Sequence, residues 1–125
     1  MTTEATIIIT KNEGKTTFIS VRIPIWTRRN DCGNLSVNIP LLGFETIAIE
    51  ENDAEKAVEE AIISFCVIAE RFGKGIRREL QALGWRVTGD DKLEYGIIDS
   101  NTVVRSIFRT GRLYVNPHLK LALPV

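Results

Sequence analysis

Hydrophobic and polar residues along this chain follow two different periods, and the change between them falls at Asn52-Asp53. Before that point the pattern is strand-like. Thr6-Ile7-Ile8-Ile9-Thr10 is a β-branched run of the kind that fits a pleated, half-buried surface. Asn12-Glu13-Gly14-Lys15 reads as a hairpin turn, because glycine accepts the positive φ that a tight turn requires. Thr17 to Ile23 follows with Phe18, Ser20 and Arg22 on one face and Ile19, Val21 and Ile23 on the other. Pro24 ends pairing there or places the segment at a sheet edge. The stretch Thr27 to Asn34, with Asn30, Asp31 and Gly33, reads as a loop. Leu35-Ser36-Val37-Asn38-Ile39 alternates strictly, Pro40-Leu41-Leu42-Gly43 turns the chain, and Phe44 to Ile49 alternates again.

From Ala54 onward the apolar residues recur at helical spacing: Ala57/Val58, Ala61/Ile62, Phe65, Ile68/Ala69 and Phe72. Asn52 or Asp53 is the expected N-cap, and Glu55 places a carboxylate in the positive first turn. Gly73 and Gly75 predict a stop or kink. A second helical stretch, Ile76 to Leu83, ends at Gly84. Strand-like segments then return at Trp85-Arg86-Val87, Leu93 to Ile98, Val103-Val104, Arg112 to Val115 and Leu119 to Leu123. These elements predict an α+β fold: a small, twisted, mainly antiparallel sheet packed on one long helix. Its expected organisation is a single domain over 1–125, with a core at 1–88 and a C-terminal β extension at 89–125.

Length and composition agree with one globular core, since 125 residues with 44% hydrophobic and 26% charged positions are ordinary values. The formal net charge is zero, so there is no bulk electrostatic argument for a nucleic acid or an anionic membrane. Beneath that zero lies an asymmetry: residues 1–60 hold ten acids and six bases, residues 61–125 six acids and ten bases. The acids concentrate at Glu45, Glu50, Glu51, Asp53, Glu55, Glu59 and Glu60. The bases follow at Arg71, Lys74, Arg77, Arg78 and Arg86, then Arg105, Arg109 and Arg112. The first residues lack a signal-peptide pattern and no apolar run reaches the roughly 20 residues that span a bilayer, so a soluble, cytoplasmic protein is expected.

Candidate chemistry is sparse. The one histidine, His118, needs a nucleophile and an orienting group before it can serve as a base, and neither is legible nearby in the sequence. Cys66 sits among apolar residues as a buried thiol, and Cys32 falls in a loop. With His118 they share no metal-ligand spacing, and Glu50, Glu51, Asp53 and Glu55 read as helix N-terminal charge rather than a metal site. Gly73-Lys74-Gly75 lacks phosphate-loop spacing. No cofactor, no metal and no enzymatic activity are expected.

The stretch from Asn34 to about Leu83 resembles a HicB-type antitoxin. The residues that carry the likeness are Leu35 to Ile39, Pro40-Leu41-Leu42-Gly43, Phe44-Glu45-Thr46, and the acidic start of an Ala-rich helix, Asp53-Ala54-Glu55-Lys56-Ala57-Val58-Glu59-Glu60-Ala61. The resemblance implies a β-β-β-α-β domain and a protein partner, a small basic toxin ribonuclease. This chain departs from the family after Gly84, where a DNA-binding helical segment is usual and strands are read instead.

The expected function is therefore that of a non-catalytic protein-binding domain whose acidic patch, Glu45, Glu50, Glu51 and Asp53, engages a small basic protein. Two alternatives stay open: a self-assembling structural protein of a mobile element or phage, and a nucleic-acid-binding domain using Arg71, Lys74, Arg77 and Arg78. A homodimer is also expected. Ile63 and Val67 fall outside the helix stripe that one sheet can bury, so either a partner subunit or the C-terminal strands must cover them.

Overall fold

The computed structural model describes residues 2–98, 112–114 and 118–124. Its first hairpin joins β1 (Thr2–Asn12) to β2 (Lys15–Arg22) through Glu13 and Gly14, both at positive φ, the two-residue turn that matches strand twist. Three further strands complete this sheet: β6 (Arg86–Gly89), β7 (Lys92–Ile98) and β9 (His118–Ala122). The order is β6-β7-β1-β2-β9 and every pairing is antiparallel. Register aligns Leu93, Ile7, Val21 and Leu119 in one inward row, and all four are buried. The opposite face carries Ile8, Phe18, Arg22 and His118 toward solvent, as the alternation predicts.

Instead of the single sheet expected, there are two. Pro24 has no N–H to donate, and β2 ends at Arg22. The chain passes through buried Ile23 and Pro24 and continues as β3 (Ile25–Arg29), which pairs with β4 (Leu35–Ile39); β5 (Phe44–Ala48) and β8 (Arg112–Tyr114) complete a second antiparallel sheet ordered β5-β4-β3-β8. Thr27, Arg28 and Arg29, expected in the loop, belong to β3. Their polarity concealed the strand, in which Thr27 is buried while Arg28 and Arg29 are exposed. The loop itself is shorter: the Asn30 side-chain carbonyl accepts from the backbone N–H of Cys32 (3.0 Å) and Asn34 (3.1 Å). A 3-10 turn at Pro40–Leu42 then closes on Gly43, whose φ of 75° suits glycine.

Helix α1 (Glu51–Arg71) begins earlier than expected. Glu50 is the extended N-cap residue, and Asn52 and Asp53 lie inside the first turn, where Glu51 and Asp53 place carboxylates at the positive end in lieu of a side-chain cap. Ala54, Val58, Ile62, Cys66 and Ala69 form its buried stripe. The helix stops before Gly73, and α2 (Ile76–Ala82) buries Ile76 and Leu80. Between them the carbonyl of Ile68 receives the N–H groups of both Phe72 and Gly73. Beyond α2, Trp85 is buried, donates its indole N–H to the Leu41 carbonyl (2.9 Å) and meets Tyr95 edge-on.

One contiguous buried cluster draws on both sheets and both helices. Residues 89–125, expected as an extension, contribute strands on both sides of the first hairpin: β7 lies against β1 and β9 against β2. Leu119, Leu121 and Leu123 are buried in that cluster. The expected strand at Val103-Val104, together with Arg105 and Arg109, lies outside the described residues.

Two substitutions probe this packing. Leu121→Ala removes a buried side chain from β9 and is expected to cost about 2–5 kcal/mol in urea unfolding. Gly84→Ala is also expected to destabilise, by more than about 1 kcal/mol, because φ at Gly84 is 101° and a Cβ there meets the Tyr95 ring at 3.1 Å. A loss of only a few tenths in either case contradicts the packing described.

Candidate functional site

Glu45 lies on β5, and Glu50, Glu51 and Asp53 lie at the start of α1. Among the described residues β5 has β4 as its one strand neighbour, so its other backbone edge carries no described strand pairing. Phe44, Thr46 and Ala48 share the face turned to α1, while Glu45 and Ile47 point the other way. Ile47 is 57% exposed and Ile49 is 72% exposed, both beside the exposed side chains of Glu45, Glu50, Glu51 and Asp53 in sequence. Glu45, Glu50 and Asp53 form no salt bridge with any described residue. The Arg29 guanidinium donates to the Gly33 carbonyl (2.8 Å) and to the Ile49 carbonyl (3.4 Å), tying the β3–β4 loop to this junction.

Behind this edge, between β5 and α1, runs an apolar groove of about 410 Å³. Phe44, Thr46, Ala61, Phe65, Ile68 and Phe72 line it, with the Phe44 and Phe65 rings 6.0 Å apart. Ile68 is 58% exposed and Phe72 is 83% exposed. Large apolar side chains left wet beside a groove are the mark of an interaction surface. Both belong to the helical repeat of apolar residues. Their exposure follows from position: Ile68 lies on the flank of the helix beside the buried stripe, and Phe72 lies just past the last turn.

Ile63 and Val67, expected at a dimer interface, are half-buried. Ile63 packs against the core, and Val67 lines a hollow beside Leu123 and Pro124 at the end of the C-terminal strand. The basic residues play separate parts. Arg77 reaches Asp91 (3.5 Å) and the Asp90 carbonyl, tying α2 to the β6–β7 turn. The backbone N–H of Lys74 donates to the Glu79 carboxylate (3.2 Å), Arg71 borders the Val67 hollow near Lys15, and Arg78 is exposed.

The hydroxyl partner that sequence could not place for His118 is Ser20: its Oγ lies 2.7 Å from the imidazole Nε2, across the β2–β9 pairing. Among the described residues no carboxylate is hydrogen-bonded to Nδ1, and the backbone N–H groups around Ser20 belong to a strand paired on both sides. Among the described residues there is no cluster of three metal-binding side chains and no helix long and apolar enough to cross a membrane. Comparison with protein-family models, with curated proteins and with solved structures finds no match to this chain.

The two cysteines differ sharply. Cys32 is exposed, whereas burial, reinforced by the Glu70 carboxylate, pushes the Cys66 thiol up to about 12 from its ordinary 9.0. Iodoacetamide at pH 8 is expected to label one cysteine per native chain, Cys32, and both after denaturation, as read by mass spectrometry. The Cys66 value is raised in the folded state, so its contribution to stability is fully present below pH 9.0 and is lost as pH rises toward about 12. Wild type should therefore lose stability relative to Cys66→Ala across that window, and parallel unfolding curves would contradict the burial.

Proposed function

We propose that this chain is a non-catalytic protein-binding domain that receives an extended, basic segment of a small partner protein along β5. The observation that carries the reading is the edge of β5 that no described strand pairs, with exposed Ile47 and Ile49 beside four carboxylates in sequence. A strand added to that edge gains main-chain hydrogen bonds, and its side chains alternate between two environments. Those on one face meet the groove of Phe44, Phe65 and Ile68; those on the other meet Glu45 and Ile47. Complementary charge then speeds encounter and sets register more than it sets affinity.

The small basic partner implied by the HicB-type resemblance suits this surface, and the reading extends to an antitoxin-like role. Self-association through the same edge is the less favoured reading. Two-fold pairing of β5 brings together two patches of like charge, an arrangement that disfavours the homodimer and favours a cationic partner. Burial of Leu119, Leu121 and Leu123 also gives α1 cover from within its own chain.

Two synthetic peptides test the reading, one alternating lysine with valine and one alternating glutamate with valine. Fluorescence anisotropy is expected to show binding of the lysine peptide alone, weakened by added salt. Ile47→Lys combined with Ile49→Lys should abolish it while leaving the unfolding midpoint nearly unchanged. Glu50→Lys with Asp53→Lys should slow association about tenfold or more. Equal binding of both peptides, or binding indifferent to Ile47 and Ile49, sinks the proposal.

A further inference from the structure

We infer that the outer face of the five-stranded sheet holds a subsite for a tetrahedral oxyanion of the phosphate class, built from Thr6, Ser20, Arg22 and His118. These side chains, with Ile8, line a shallow hollow of about 160 Å³ on the face opposite the core. Register brings them together: Thr6 lies opposite Arg22 and Arg22 opposite His118, one row across three strands, while Ile8 lies opposite Ser20 in the next row. The site is remote from the β5 edge and independent of the proposal made for it.

The chemistry of the lining selects the ligand. A guanidinium, an imidazole and two hydroxyls supply donors, and among the described residues no carboxylate lines the hollow. The Ser20–His118 bond gives the donors a direction. When Nε2 carries a proton it donates to Ser20 Oγ (2.7 Å), and the hydroxyl proton is then free to point at a bound oxygen. Arg22 supplies the planar fork that suits two oxygens of one anion. Lys92 and Lys120 flank Ile8 and Ser20 in their row, and the Thr6–Arg22–His118 row continues on its other side through Glu94 to Arg86. The acid there whose side chain is described, Glu94, pairs with Lys92 at 3.5 Å, and Lys120 lies over the Phe18 ring at 5.3 Å from its centroid. The hollow falls below the roughly 300 Å³ at which pockets enclose whole small molecules, so it takes a headgroup while the remainder of the ligand lies on the open sheet.

The test follows the ring signals of the single imidazole by NMR in the full chain while inorganic phosphate is added. A saturating shift of the His118 resonances is expected. Arg22→Gln should weaken it about tenfold or more, and Ser20→Ala about threefold or more. Arg22 is exposed, and the backbone amide spectrum verifies that each variant folds; His118→Gln, read through the Ser20 and Thr6 amides, provides a second route if one does not. A short oligothymidylate run in parallel distinguishes the source. Tighter binding than phosphate, weakened by both Arg22→Gln and Lys120→Ala, assigns a phosphodiester chain. Phosphate binding without oligonucleotide binding assigns a small phosphorylated molecule. Absence of any His118 shift with either probe, or equal shifts in wild type and Arg22→Gln, overturns the inference.

Discussion

The passage through Ile23, Pro24 and Ile25 is the constraint on which the rest of this fold depends. All three residues are buried, so the backbone crossing there runs through the core and not around it. Proline cannot donate to a strand ladder, and one extended path is therefore divided between two sheets. Everything C-terminal inherits that division. The β3-β4-β5 meander grows outward in the second sheet until β5 is left at its edge, and α1 must return across the interior to bury Val58 and Ile62. The first sheet, deprived of a continuing neighbour on the β2 side, is completed by β9 from the far end of the chain.

That layout also sorts the charges. A protein with equal numbers of acids and bases presents no net field at long range, so its electrostatics act locally, within about 8–10 Å at physiological salt. The acids collect where an edge strand meets a helix N-terminus, a place that favours carboxylates for reasons internal to the helix. The cations of the first sheet collect on its solvent face, because alternation sends Arg22, Lys92 and Lys120 outward wherever Val21, Leu93 and Leu121 go inward. Two surfaces of opposite character thus arise from the same packing rules that build the core. One is an acidic, partly apolar strand edge; the other is a sheet face lined with hydrogen-bond donors.

Much of this protein was legible from its residues. Period-two alternation located β2, β4 and β5, the Glu13-Gly14 turn fixed the first hairpin, and the spacing from Ala54 to Phe72 located α1, because burial of one face imposes a repeat that any reader of the sequence can find. The acidic cluster at Glu45, Glu50, Glu51 and Asp53 was visible as well, since its members are near neighbours in the chain. Tertiary structure decided the remainder. Thr27-Arg28-Arg29 looks like a loop until the sheet on either side supplies its ladder, and Asn52-Asp53 looks like a cap until Glu50 occupies that position. Ser20 and His118 stand 98 residues apart, and no local pattern announces a pair made by two strands meeting at a register set elsewhere. Local spacing encodes which side of an element is apolar; which distant residue stands beside it is a property of the packed chain alone.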